Sequence, residues 1–233
     1  MEIKERNLRD TPLEMNRLSL LGLPAEMRLH IFRFLVPNKR LITVTRSTFG
    51  GLTDRPHGEF IGCKSSLLVL CKQISEECLG ILYGENTFKM VLHEKGQLYF
   101  TRNITKENAR RLRRLILIAG YSFRPHRMLV YPAEPLWEAV LPGLVHLWIV
   151  ATKPGPPGVQ RYPSLSIGWF WWLQRFVGCF RKHLTAKTTV EVDDGEDVEV
   201  DEFFQKHLPA GYRRGHEKTT GDWLFGRAPV PVG

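Results

Sequence analysis

The chain has 233 residues, 43% of them hydrophobic and 11% aromatic, which is enough apolar surface for one sizeable core or two small ones and too much for a disordered chain. A formal net charge of +9 favours acidic partners through long-range attraction but specifies no fold. No apolar run approaches the ~20 residues that cross a bilayer, and Met1 to Asp10 is charged where a secretory leader would be apolar. We therefore expect a cytoplasmic or nuclear protein, monomeric apart from its partners, whose cysteines Cys63, Cys71, Cys78 and Cys179 remain thiols.

Residues 1–17 read as a flexible, polar lead-in. A helix follows over Leu23 to Val36, with Pro24 suited to its first turn, Glu26 near its positive end, and Pro37 stopping it. At 100° per residue, Met27, Ile31, Phe34 and Leu35 share the face expected to meet the core, and Leu29, Phe32 and Val36 form a second stripe. That second stripe is either a docking surface or is covered by a later element. Leu41 to Arg46 alternates as a strand does, and Thr48 to Gly62 is a loop. The most regular helix is expected over Leu67 to Tyr83, capped by Ser65 or Ser66 and by Gly84, with Leu67, Leu70, Cys71, Ile74, Cys78, Ile81 and Leu82 on one face. Asn86 to Leu92 reads as a strand and Thr105 to Arg111 as a helix.

The downstream half carries a faint repeat. Leu112 to Ile118 and Leu144 to Val150 share the pattern L-x-x-L-x-[L/I] at an offset of 32 residues, which is a strand signature. Helices are expected at Glu134 to Leu141 and Leu165 to His183, and a third strand at Thr188 to Val192. The tract Glu191 to Glu202, centred on Asp193-Asp194-Gly195, reads as a hairpin with a solvated acidic face. Alternation of strand and helix favours parallel neighbours joined by right-handed crossovers. The expected fold is thus α/β (α+β): a helical N-terminal module over 18–92 packed on a small leucine-rich-repeat-like β-α-β sheet over 93–208, with a tail over 209–233.

Two blocks, LPAEMRLHIFRFLV (Leu23 to Val36) and LLVLCKQISEECLGILYGENTFKM (Leu67 to Met90), carry a more specific signal. Together they resemble the fungal F-box-like family, with its L-P-x-E-[IM]-R opening and its later [CR]-[KR]-Q-I…E…LY-x-x-N-T-F segment. The resemblance spans roughly residues 18–92, and it departs from the family pattern at Ser75 and in the strand and loop between the blocks. In better-known F-box proteins such a module docks on a Skp-type adaptor of a cullin-RING ubiquitin ligase, and a C-terminal domain selects a protein substrate. The resemblance therefore implies a substrate receptor whose adaptor-binding residues would be Leu23, Pro24, Leu29, Phe32 and Val36.

No catalytic centre emerges from the motifs. The sequence has no G-x-S-x-G elbow, no G-x-G-x-x-G turn, no C-x-x-C and no H-x-x-x-H pair, so neither enzyme activity nor a cofactor or metal is expected. Partner-binding candidates are the basic residues Arg110, Arg111, Arg113 and Arg114, which could also meet nucleic-acid phosphates. Trp171 is another, because it points away from Trp169, Trp172, Phe176 and Phe180 on its helix. Nucleic-acid association through the basic cluster is the reading of a different class, and no recognised binding motif supports it.

Overall fold

The structure, a computed structural model, describes residues 19–44, 52–53, 65–92, 94–120, 131–153, 163–208, 212–217, 221 and 225. The lead-in 1–17, Cys63, nearly all of the loop Thr48 to Gly62 and most of the segment beyond Pro209 lie outside them.

The elements form successive helix-then-strand units. Helix α1 (Ala25–Leu35) precedes β1 (Leu41–Val44), which pairs with the short antiparallel β2 (Leu52–Thr53). Helix α2 (Lys72–Gly84) precedes β3 (Thr87–Val91), and α3 (Glu94–Asn103) with α4 (Lys106–Ala109) precedes β4 (Arg114–Ala119). Then come α5 (Glu134–Val140) with β5 (His146–Ala151), α6 (Pro163–His183) with β6 (Thr189–Asp193), and α7 (Val198–His207) with β7 (Arg213–Arg214). Strand order across the sheet is β2-β1-β3-β4-β5-β6-β7, and every pairing except β1 with β2 is parallel. Right-handed crossovers that always step the same way lay their helices on one face. The side-chain pattern agrees: Ile42, Phe88, Met90, Leu115, Leu117, Leu147, Ile149, Val190 and Val192 alternate into a single apolar core with Phe32, Phe100, Trp137, Trp169, Phe176, Phe180 and Phe204 of the helices. Ile116 and Val150 are buried outside that core, on the opposite face.

The repeat seen in the sequence has a direct structural meaning. Strands β4 and β5 pair from Arg114 with His146 to Ala119 with Ala151, the same 32-residue offset, so each repeated position meets its counterpart across the ladder. A one-residue slip of either strand would turn its inward pair, Leu115 and Leu117 or Leu147 and Ile149, away from the helices.

Four expectations need correction. The stretch 18–92 is not a helical module packed on a separate sheet, because its strands β1 and β3 continue the same sheet as β4 to β6. The helix expected from Leu67 begins at Lys72: Ser65–Val69 is a 3-10 turn, and Cys71, extended at φ −159 and ψ 163, breaks the periodic run and leaves Leu70 in solvent. Helix α3 falls where no element was expected, because its inward side is mixed, with Gln97 buried beside Phe100. The acidic tract is no hairpin. Strand β6 runs into a turn in which Gly195 (φ 60) and Glu196 (φ 65) are left-handed, and Asp197 then caps α7 by accepting from the Glu199 and Val200 amides. A Cβ on Gly195 would lie 2.3 Å from the Phe225 ring, so both the turn and the close approach require glycine.

The acidic residues of that turn are spent on the fold. Asp193 accepts from the Glu217 amide at 2.7 Å in a buried bond, and Asp194 pairs with Arg214 at 2.8 Å. The segment beyond β7 is therefore drawn back over the sheet, where Gly215 lies against Trp148 and Glu191. Asp193→Ala should leave the buried Glu217 amide without its acceptor, cost about 2 kcal/mol, and speed proteolytic cleavage beyond Leu208, read by limited proteolysis and mass spectrometry.

Candidate interaction surfaces

The N-terminal unit is held by two polar staples built from the motif residues. Arg28, buried on the inner side of α1, donates from Nε to both Glu77 oxygens at 3.0 and 3.2 Å and from Nη2 to Oε1 at 2.6 Å. Its Nη1 reaches the carbonyls of Leu21 and Leu23, tying the chain before α1 to α2. Asn86 is fully buried between the two helix-to-strand turns: Nδ2 donates to the carbonyls of Pro37 and Leu82, both at 2.7 Å, and Oδ1 accepts from the Arg40 amide at 2.9 Å. Arg33 pairs with Glu85 at 2.7 Å further along. As α1 advances from Arg28 to Arg33, α2 advances from Glu77 to Glu85, so the two helices run the same way and deliver β1 and β3 as parallel neighbours.

These staples decide which side of α1 faces inward. Phe32 is 0% exposed and Val36 is buried, and both sit in the core with Leu29 packed against it, so the stripe Leu29, Phe32, Val36 is covered internally. The opposite side stands out instead. Met27 is 54% and Phe34 79% exposed, His30 lies between them with its ring edge-on to Phe34 at 5.3 Å, and Ile31 completes the line half-buried. Of the face expected to meet the core, Ile31 and Leu35 do pack against it, half-buried, while Met27 and Phe34 face solvent, and Phe32 and Val36 of the second stripe are buried instead. Leu23 is half-buried and Pro24 exposed at the start of the helix. Leu21, Val69 and Leu70 add further exposed apolar side chains to the same unit.

The basic cluster does not form one open positive face. Arg111 bonds Glu76 at 2.5 Å, Arg113 caps the carbonyls of Arg110, Leu112 and Gly143 at 2.9 to 3.0 Å, and Arg114 donates to the Glu85 carbonyl at 3.1 Å. Arg110 is exposed. Trp171, 51% exposed, stacks with the Arg175 guanidinium at 3.4 Å, and Tyr131 closes over the other side at 4.3 Å. Its neighbours Trp169, Trp172, Phe176 and Phe180 are buried on the face read from the sequence.

The sheet face away from the helices carries a mixed row, Lys89, Ile116, Trp148 and Glu191, paired strand to strand. His146 stacks on Trp148 at 5.2 Å and stands 3.7 Å from Glu191, and burial holds its imidazole below the ordinary histidine value. In the N-terminal unit, the hydrogen bond from Arg28 holds the Glu77 carboxyl below the usual carboxylate range. Both shifts favour the high-pH form in the folded chain, so both contributions are full above the unfolded-state values and are lost as pH falls through the folded ones. The thermal midpoint should therefore drop in two stages on acidification, first below about 6.5 and again below about 4.3. Scanning calorimetry of His146→Gln should shrink the first stage, which His207 shares, and Glu77→Gln the second, which Glu76 and Glu134 share.

One further cluster matches none of the sequence motifs. Glu134, Cys179 and His183 bring a carboxylate oxygen, a sulfur and an imidazole nitrogen within 4.8 Å of one another. The signal was a Cys-x-x-x-His spacing on a helix, which a search for C-x-x-C and H-x-x-x-H passes over.

Among the described residues, no helix is long and apolar enough to cross a membrane. Comparisons with protein-family models, with curated proteins and with solved structures give no match, so the resemblance of residues 18–92 stands on its own motifs.

Proposed function

We propose that this is a protein-interaction protein that docks through the outer side of α1, with Met27, His30, Ile31 and Phe34 as the contact stripe. The observation that carries the reading is Phe34, 79% exposed on a helix whose opposite side is fully engaged by the core. Isolated exposed apolar residues are ordinary, but two of them at i and i+7 on one short helix, with half-buried Ile31 between them at i+4, offer the spacing that a hydrophobic groove receives.

The occupant suggested by the F-box-like resemblance is a Skp-type adaptor of a cullin-RING ubiquitin ligase, which makes the chain a substrate receptor of the cytoplasm or nucleus. Leu23 and Pro24, fixed by Arg28 at the head of the helix, would flank the contact. The parallel sheet and its helical layer, with Trp171 exposed on α6, would take the protein substrate. The anchored arginines 111, 113 and 114 count against the nucleic-acid reading.

Calorimetric titration of the full chain with a Skp-type adaptor tests this. Wild type should bind with micromolar affinity or better, and Phe34→Glu should weaken binding at least about 100-fold, the loss of one central anchor. An adaptor that ignores the wild-type chain, or binds Phe34→Glu equally well, refutes the proposal.

A further inference from the structure

We propose that Cys179, His183 and Glu134 form a binding site for a divalent transition-metal ion of the zinc class, pinning α5 to α6. Cys179 and His183 lie four residues apart on α6 and therefore share one side of it. Glu134 is the first residue of α5 and faces them from the neighbouring helix. The scaffold beneath is rigid: Trp137, one turn after Glu134, meets Phe180, next to Cys179, edge-on at 5.0 Å, and both rings are fully buried.

The donor set selects the ion. One sulfur, one imidazole nitrogen and one carboxylate oxygen suit zinc and its close relatives, whereas calcium and magnesium want oxygen alone. Bonds of about 2.0 to 2.3 Å place tetrahedral donors roughly 3.3 to 3.8 Å apart. The three atoms here lie within 4.8 Å of one another, and His183 Nε2 is 3.9 Å from Glu134 Oε1, so a contraction of about 1 Å closes the set. Glu134, whose side chain is exposed, is free to take up part of that adjustment.

A second observation points to a ligand. His183 Nε2 is shielded from solvent and faces Glu134 Oε1 at 3.9 Å, too far for an ordinary hydrogen bond. Buried polar atoms of this kind are normally satisfied, and an ion between the two groups would do so. Without metal, the Lys182 ammonium, 2.9 Å from Glu134 Oε1 and largely exposed, partners the carboxylate. The ion would compete with it, and the exposed side of Glu134 leaves the fourth position to water. On binding, the Cys179 thiol gives up its proton to solvent as the sulfur–metal bond forms.

Cobalt(II), added to the reduced full chain, is the probe. The wild type should take up one equivalent with a thiolate-to-cobalt charge-transfer band, and zinc should displace it. Cys179→Ser should abolish the band, and His183→Gln should lower zinc affinity more than about 100-fold, beyond what loss of a supporting group costs. Lys182→Met, which removes the competing ammonium, should tighten binding. Circular dichroism of the metal-free variants separates loss of a ligand from loss of the fold, and half-exposed His183 carries the test if Cys179→Ser fails to fold. A chain that binds no cobalt, a band that survives Cys179→Ser, or zinc affinity unchanged by His183→Gln overturns the site.

Discussion

Phe32→Ala is expected to lower the stability of the chain by about 4 kcal/mol, the usual cost of removing a fully buried ring and leaving a cavity. Phe32 lies beneath α1 in the same core as Ile42, Cys78 and Phe88, where the neighbouring helix and strands are too well supported to collapse into the space. Phe34, two positions along the helix, should behave oppositely: Phe34→Glu stays within about 0.5 kcal/mol of wild type, as exposed substitutions do. Urea denaturation of the two variants reads the difference. Equal losses would mean that the sidedness of α1 is wrong and that the docking stripe is misplaced.

Asn86→Ala is expected to cost about 3 kcal/mol, close to the Phe32 change although far fewer atoms are lost. Its side-chain amide satisfies the Pro37 and Leu82 carbonyls and the Arg40 amide at once, and the side chain itself is fully buried. Those groups sit in the two turns that lead into β1 and β3, so the register of the sheet's first parallel pair depends on them. Asn86→Asp is the sharper control: it keeps the acceptor for Arg40 but sets a charged oxygen against two carbonyls. It should therefore be at least as destabilising as alanine, and an aspartate variant of wild-type stability would contradict the assignment.

These two residues show where sequence reading succeeds and where it stops. Strands β4, β5 and β6 and helices α5 and α6 are legible because their apolar residues recur at strand or helix spacing, although Ile116 and Val150 are buried on the far face of the sheet as well. The repeat offset even carried the register of β4 with β5. Helix α1 was legible as a helix, but its inward side was not, since Met27–Phe34 and Phe32–Val36 are comparably apolar and the deciding residue, Arg28, is charged. Burial of Arg28 depends on Glu77, a partner 49 residues away that no local pattern reveals. Asn86 is hidden for the same reason, and β7 because two arginines at a sheet edge do not look like a strand. The acidic tract misled because carboxylates that bind backbone amides and Arg214 carry the same letters as solvated ones.

The candidate surfaces follow the same division. Trp171 could be placed outward by helical angle alone, whereas the three anchored arginines required the carbonyls they cap. The Glu134, Cys179 and His183 cluster needed the packing of α5 on α6 before its third member was known.

Docking through the outer side of α1 is tested most directly by photocrosslinking. A photoreactive phenylalanine analogue at position 34 of the full chain, irradiated with a Skp-type adaptor present, should yield an adaptor adduct, and the same analogue at position 32 should yield none. Adducts from position 32 but not 34, or from neither position at saturating adaptor, would contradict the account.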